Sequence, residues 1–420
     1  MFSSLLRRWF GIVLWKRILG ALVLGGIFGL LIGEQAESIK WIGDIFVRLV
    51  RMLIVPLVFV TLVAGVTAIQ DPKRIGSIGG RAIGMYLGTT AAAIVIGLVV
   101  ATILQPGVGI DLGSATPYVN PNEAPPSLGE RLMRIVPENP FEAFANGDIL
   151  AIIFFAILTG AGITLGKEAT RPLAAVFDAG AELMLKITRI VMEVAPFGVF
   201  ALVAWVMGTV GPATFINVFL LAIGVYAGCA LHMMLVQGGA VRLFSGLSWR
   251  RFFQGVRGPQ LVAFSTSSSS ATLPASLSAA DVNLGIKPAV ASSVLPLGAT
   301  VNMDGTALYV AMIAVFSAQA FGIPLDFYDY LIIAGTTTLV SVGTASVPSA
   351  SLFLMAAVLE TIGMQPAQIA IVIGFILPFD RILDMMRTVT NVTGDLAVAT
   401  TVAHWEGEID REVFEAAPER

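Results

Sequence analysis

The chain has 420 residues, 56% hydrophobic and only 13% charged, where a soluble domain carries roughly 25% charged residues. That balance places the chain in lipid. A net charge of −3 and a pI near 5.5 give no reason to expect nucleic-acid binding. The single cysteine, Cys229, sits in an apolar run, can form no intrachain disulfide and reads as a small packed hydrophobe.

In chain order, Arg7, Arg8, Lys16 and Arg17 lead into the first apolar stretch with no small-residue cleavage site behind it, so the segment reads as a retained first helix. Positive-inside anchoring explains Arg7-Arg8 better than a twin-arginine export signal. Ile18 to Gly33, Leu49 to Ile69 and Ile83 to Leu104 approach or exceed the ~20 residues that cross a hydrocarbon core. Lys73, Arg74 and Arg81 return two spans later, on the same side as the N-terminus. The acidic connection Pro106 to Asp148 suits the opposite face, and Lys167, Arg171, Arg242, Arg250, Arg251 and Arg257 mark the first side again. This bias predicts a multi-pass protein of the plasma (inner) membrane with both termini in the cytoplasm.

The long connection Pro106 to Asp148 separates an apolar part from one in which polar and small residues interrupt membrane segments. We expect residues 1–245 to form mainly a scaffold, 246–405 a transport core and 406–420 a cytoplasmic tail. The core reads as two modules, each an interrupted segment followed by a long helix. Leu261 to Ala280, broken by Ser265 to Ser270, precedes Pro288 to Phe321, itself broken around Asn302 to Thr306. Leu331 to Ile362, broken by Gly343 to Ser351, precedes Ala367 to Val402. Unpaired backbone survives in a membrane only where protein or a water-filled cavity receives it, so the breaks predict re-entrant hairpins around a mid-membrane site.

Three motifs carry chemistry. At about 100° per residue, Asp380, Asp384, Arg387, Asn391 and Asp395 fall within roughly 80° of one another on one helix. A solvated amphipathic helix or a purely structural ion-pair network is the plainer reading. Each buried charge, however, costs ~2.5 to 3.5 kcal/mol even on the gentler insertion scale, which favours a functional site. The stretch Gly298 to Thr306 sets Asn302 and Asp304 beside Gly305 in an apolar helix, where local unwinding exposes oxygens to a hard cation such as sodium. Alone, Asn and Asp could merely mend a kink. The serine run Ser267 to Ser270 is weak by itself, since such runs are more often linkers or small-residue packing sites.

Together Ser268-Ser269-Ser270-Ala271-Thr272-Leu273-Pro274, Asn302-Met303-Asp304-Gly305-Thr306, and Asp384-Met385-Met386-Arg387-Thr388 with Asn391 and Gly394-Asp395 resemble the dicarboxylate/amino acid:cation symporters, which include the glutamate transporters. The match runs in order over nearly the whole chain, from Met52 to Val58 onward. An archaeal member of this family is among the proteins from which the rule of paired broken helices in transporters is drawn, so the module pattern and the resemblance are not independent. The resemblance implies an all-α polytopic protein of eight transmembrane helices and two re-entrant hairpins, arranged as inverted repeats in a homotrimer that works as an elevator-type transporter. It implies sodium-coupled uptake of aspartate or glutamate with about three sodium ions per substrate. Arg387 would take the substrate's side-chain carboxylate and Asp384 its ammonium. Asn391, Thr306, Thr388, Ser268, Ser269 and Ser270 would surround its α-carboxylate, with Val347 and Ser351 on the second hairpin. Sodium ligands would come from Asp395, Asn302 and Asn391, from Tyr86, Thr89, Thr90 and Asp304, and from Thr300 with backbone around Ser341 to Thr344. Asp380 and Arg381 would balance charge.

Two departures stand out. Ser267 occupies the position of an arginine in archaeal members, and Arg381 on the last helix supplies that charge instead. The second hairpin reads Val347-Pro348-Ser349-Ala350-Ser351, where many members have glycines. Retention of Asp395, and Val310 rather than a glutamate after Tyr309, imply sodium coupling without a carried proton or returned potassium. Competing readings are a C4-dicarboxylate or neutral amino acid symporter of the same family, an ion channel, and an intramembrane hydrolase. Asp384 favours a substrate with an amine, no ring of like charge supports a channel, and His232 and His404 have no visible serine partner, so no enzyme is expected.

Overall fold

The computed structural model describes residues 9, 11–68, 72–110, 136–209, 211, 213–342 and 350–416, and among these it is helical with one isolated β-bridge. In chain order the helices are α1 (Leu14–Ile32), α2 (Lys40–Ala68), α3 (Pro72–Leu104), α4 (Pro140–Asn146), α5 (Ile149–Gly166), α6 (Arg171–Met192), α7 (Ala195–Thr209) and α8 (Ala213–Leu231). They continue with α9 (Gly238–Ser245), α10 (Trp249–Gly255), α11 (Arg257–Thr266), α12 (Ser269–Val282), α13 (Pro288–Val301), α14 (Asp304–Ala320), α15 (Phe327–Val342), α16 (Ala350–Thr361), α17 (Pro366–Glu406) and α18 (Arg411–Glu415). A π-helical turn, His232–Gln237, joins α8 to α9.

Local chemistry explains many of the ends. Asn139, Asp148, Ser248, Ser268 and Asp410 each accept a backbone N–H from the first turn that follows them, satisfying donors that helix starts leave unpaired. Gln365 and Gln368 form a reciprocal capping box at the start of α17, with Pro366 at its first position. Both expected interruptions of the first module are present. The chain breaks at Ser267 and Ser268 between α11 and α12, and at Asn302 and Met303 between α13 and α14. In the second module α15 and α16 pack together on either side of residues 343–349, and Ala367 to Val402 lies within the unbroken α17 despite Pro378.

Among the described residues five segments, Lys16–Leu49, Ile78–Leu104, Ala151–Ala169, Ile216–Ser245 and Pro288–Ala320, are long and apolar enough to cross a membrane, and α6 with α7, bent by 51°, makes a sixth if taken as one span. The chain is thus a multi-pass helical membrane protein. Pro288–Ala320 is unlike the others, because 94% of its most apolar stretch is buried inside the protein. Its neighbours are protein rather than lipid: α3, α8, α15, α16 and α17 all pack on α14. A helix so enclosed can carry polar groups that lipid would reject.

Apolar packing falls into two groups. One joins α2, α5, α7, α14 and α16. The other joins the start of α3, α9 to α13 and the C-terminal half of α17, where it also buries Phe414 of α18. Three basic residues bond at this end: Arg81 pairs with Glu406 at 3.2 Å, Lys287 with Glu408 at 3.1 Å, and Arg251 donates to the Phe414 carbonyl at 3.2 Å. Cys229 is fully buried.

Helix α1 lies along α7 through glycines. A Cβ at Gly29 would stand 2.2 Å from the Ala204 carbonyl oxygen, which is backbone and cannot rotate away. Small residues allow this approach, on which helix association in lipid depends. Gly29→Val should therefore destabilise the protein by about 1 to 3 kcal/mol, read as a fall in the thermal midpoint in detergent; an unchanged midpoint would show that α1 and α7 separate freely.

Candidate functional site

The site forms where the break between α13 and α14 meets the polar face of α17. Asn302 and Met303 leave helical geometry, at φ −89°, ψ 97° and φ −120°, ψ 47°. Side chains then join the break to α17. Asn391 Oδ1 accepts the Gly305 N–H at 2.8 Å, and Asn302 Nδ2 donates to the Asn391 carbonyl at 3.2 Å and to Asp395 Oδ1 at 2.9 Å. Glycine is required at 305, since a Cβ would meet the Arg387 backbone.

Toward the N-terminal end of α17 lies an ion-pair cluster. Arg387 is fully buried; its Nη2 donates to Asp384 Oδ1 at 2.6 Å, its Nη1 stands 3.1 Å from Asp380 Oδ1, and its guanidinium carbon lies 3.9 Å from the Tyr309 ring centroid. The Tyr309 hydroxyl also donates to Asp380 Oδ1, at 3.1 Å. Arg381 Nη1 is 4.0 Å from Asp384 Oδ2, and its Nη2 donates to the Thr266 carbonyl at 3.4 Å. Arg381 thus reaches the break between α11 and α12, next to Ser267.

One to two turns further along, Asp304 and Asp395 form a second acidic region. Asp304 is wholly buried, and its Oδ1 accepts the hydroxyls of Thr90 at 2.8 Å and Thr89 at 3.2 Å. Tyr86 is buried with its hydroxyl donating to the Val294 carbonyl at 3.0 Å, and a Cβ at Gly298 would touch both that hydroxyl and Asp395 Oδ1. The side-chain oxygen of Asn302 is buried without a hydrogen-bond partner among the described residues. Carboxylate, hydroxyl and amide oxygens in one dry region are the donor set of a hard monovalent cation.

The remaining sequence candidates divide. Ser268 caps α12 by accepting the Ala271 N–H at 3.2 Å, Ser269 is buried behind it and Ser270 is exposed. Ser267 adopts φ 51° at the break, a left-handed conformation uncommon for serine. Thr388 is buried and bonds the Asp384 carbonyl, and Thr306 is buried near the start of α14. Thr300 and Ser341 are directed to their own helices, donating to Leu297 and Thr338 carbonyls. Ser351 is buried, with no partner for its hydroxyl among the described residues. Thr344 and Val347 lie outside the described residues.

Two residues were missed from sequence. His232 Nε2 stands 2.9 Å from Asp304 Oδ2, and Gln237 Nε2 donates to the same oxygen at 3.1 Å and to the Thr390 carbonyl at 3.0 Å. Five residues apart, they would point about 140° from each other on an α-helix. The π-helical turn they bracket brings both to one side. The only signal was their polarity within the run Cys229 to Val241.

A family model described as the sodium:dicarboxylate symporter family matches residues 14–405. The chain belongs to that family. It is similar to a proton/sodium-glutamate symport protein of Geobacillus stearothermophilus, 36% identical over 408 residues and 95% of each chain. It also resembles a proton/glutamate-aspartate symporter of Escherichia coli strain K12, 33% identical over 94% of this chain and 93% of the other. A C4-dicarboxylate transport protein of Bordetella avium is 32% identical over 96% of this chain and 91% of its own. The family consists of transporters, not enzymes.

Gly394 lies where the partners of Asp304 and of Asp395 come together. A Cβ there would lie 2.6 Å from Asn302 Nδ2, 2.8 Å from Gln237 Nε2 and 3.1 Å from Asp304 Oδ2. All three atoms are hydrogen-bonded and buried, so none can withdraw cheaply. Gly394→Ala should reduce initial transport rates at least about tenfold, the equivalent of about 1.4 kcal/mol, while the protein still elutes as a single folded species. Wild-type uptake by the variant would show that the three side chains tolerate displacement.

Proposed function

We propose that this chain is a secondary active symporter that couples sodium entry to uptake of an acidic amino acid, aspartate or glutamate. The observation that supports this best is the buried pairing of Arg387 with Asp384, 2.6 Å apart on one turn of α17. An amino acid with an acidic side chain carries both complementary charges. Its side-chain carboxylate matches the planar guanidinium of Arg387, and its ammonium matches the acceptor-only Asp384. Each protein charge then exchanges one partner for another without being left alone in low dielectric. The α-carboxylate would meet Asn391, Thr306, Thr388 and the first-hairpin serines, with Val347 and Ser351 closing from the second.

Charge supports cation coupling. Asp304, Asp380, Asp384 and Asp395, all buried, face two guanidinium groups, Arg381 and Arg387, a formal excess of two negative charges. An acidic amino acid adds about one more at neutral pH, so about three monovalent cations would balance the loaded site. Sodium would bind near Asp395, Asn302 and Asn391, near Tyr86, Thr89, Thr90 and Asp304, and near Thr300 with the segment Ser341 to Thr344. Sodium also suits the family's description. The retained Asp395, and Val310 after Tyr309, support coupling without a proton, although the names of two relatives mention protons. The same reading includes eight spanning helices, a homotrimer built on residues 1–245, elevator motion of 246–405, and cytoplasmic termini at the inner membrane.

A C4-dicarboxylate substrate is the second reading, favoured by the name of the Bordetella avium relative. Asp384 discriminates, because a dicarboxylate has no ammonium to face it. Reconstituted vesicles offered labelled aspartate, glutamate, succinate and alanine, under separately imposed sodium and proton gradients, should accumulate aspartate or glutamate with sodium alone. Accumulation of succinate in preference, or any accumulation driven by a pH gradient without sodium, would overturn the assignment.

Arg387→Cys should lose acidic amino acids by roughly 2 to 5 kcal/mol of affinity while sparing neutral ones, and undiminished aspartate affinity would remove Arg387 from the site. Asp384→Asn should weaken amino acids more than succinate; equal loss would refute the ammonium role. Ser351→Cys should react with a thiol reagent in sodium alone and be protected by sodium plus substrate, as a closing hairpin requires. Equal rates in both conditions count against that gate.

A further inference from the structure

We propose that His232 and Gln237 are positioning residues for a transported cation: they pin Oδ2 of Asp304 from one side, so that only Oδ1, beside Thr89 and Thr90, is presented to the ion. The inference rests on the cation role of Asp304 proposed above and assigns a function to two residues outside the sequence motifs.

The four partners of Asp304 divide by chemistry. On Oδ1 they are hydroxyls, Thr89 at 3.2 Å and Thr90 at 2.8 Å. A hydroxyl donates one hydrogen but keeps lone pairs, and it rotates cheaply, so each threonine can turn from donating to Asp304 to coordinating a cation. On Oδ2 the partners are nitrogens, His232 Nε2 at 2.9 Å and Gln237 Nε2 at 3.1 Å. Facing a carboxylate, the imidazole nitrogen must carry its hydrogen. The amide orientation of Gln237 is fixed twice over, because the same nitrogen also donates to the Thr390 carbonyl at 3.0 Å. Neither nitrogen has a lone pair to offer there, so the Oδ2 side is permanently lined by donors and closed to cations.

The surroundings make this arrangement rigid. His232, Gln237 and Asp304 are all fully buried, so no bulk water replaces a lost donor. Gly394 has no side chain where Gln237 Nε2, Asn302 Nδ2 and Asp304 Oδ2 converge. The π-helical turn His232–Gln237 directs both residues to one carboxylate oxygen, and such turns recur at functional sites. With Oδ2 released, the carboxylate would rotate about Cβ–Cγ and Oδ1 would leave the two threonines. Cation affinity would fall although every direct ligand remained.

The test is sodium binding by the purified full-length protein in detergent, without substrate, read as the sodium concentration giving half-maximal thermal stabilisation with choline replacing sodium at constant ionic strength. His232→Leu and Gln237→Leu should each raise that concentration about tenfold. His232→Gln, whose amide nitrogen can replace Nε2, should stay within about twofold of the parent, and Asp304→Ala should make the His232→Leu effect disappear. If His232→Leu fails to fold, Gln237→Leu and His232→Gln carry the same comparison. Parent-like titration by the leucine variants beside a defective Asp304→Ala would overturn the positioning role alone, as would a His232→Gln variant as impaired as His232→Leu. Parent-like titration by Asp304→Ala would instead overturn the cation role of Asp304 and the inference with it.

Discussion

The structure is organised around an excess of carboxylate held away from water. Asp304, Asp380, Asp384 and Asp395 are buried with only Arg381 and Arg387 as guanidinium partners. A charge at the centre of a bilayer costs ~2.5 to 3.5 kcal/mol even on the gentler scale, so each carboxylate needs donors at fixed positions. Two devices supply them. A cation cluster with an aromatic face, Arg387 over Tyr309, serves Asp380 and Asp384. Hydroxyl, amide and imidazole donors, Thr89, Thr90, His232, Gln237 and Asn302, serve Asp304 and Asp395. The first region is close to electrically balanced and the second is not. In the proposed symporter that difference assigns the substrate, with its carboxylates and ammonium, to the ion-pair cluster and the cations to the second region.

Asn391 connects the two. Its side-chain oxygen holds the N–H of Gly305 and its carbonyl accepts from Asn302, whose other bond runs to Asp395. Gly305 in turn lies against the backbone of Arg387, so closely that a Cβ would not fit. A cation drawing on the oxygens of Asn302 or Asp395 therefore pulls on the peptide that abuts Arg387. In the proposed symporter this shared backbone gives ion and substrate a coupling free energy without any long pathway, since both bias one local arrangement. The enclosure of α14 by five other helices keeps that arrangement rigid.

Much of this was legible in the sequence because helical periodicity is a strong constraint over a long helix. Asp380, Asp384, Arg387, Asn391 and Asp395 recur at spacings that bring one face together, and the breaks at Ser267 and at Asn302 announce themselves as polar residues where lipid would forbid them. Periodicity did not show that α17 is buried on its other faces too: Leu383, Val389 and Val392 are as enclosed as the charged side chains. His232 and Gln237 escaped because a π-helical turn changes the phase of the helix, and a reading at about 100° per residue assigns them to different sides. Thr300 and Ser341 show a different side of the same rule, since hydroxyls in membrane helices often donate to their own carbonyls, as both do.

Arg381 shows what the site conserves physically. The sequence places this guanidinium on the last helix, while the first hairpin carries Ser267 at its turn. Folding returns the charge to the hairpin, where Arg381 donates to the Thr266 carbonyl while staying within 4.0 Å of Asp384. Coulomb interaction depends on where a charge ends up, not on which stretch of sequence supplies it. The transfer still has a local consequence. A small Ser267 with φ 51° now forms the turn, and the hairpin tip is tied to α17 by a hydrogen bond from that helix rather than by a side chain of its own. The limbs of the hairpin also pack on α17, where Gln260 donates to the Thr393 hydroxyl at 3.1 Å, so drawing Arg381 toward Asp384 would loosen the turn at Ser267 while leaving the limbs in place.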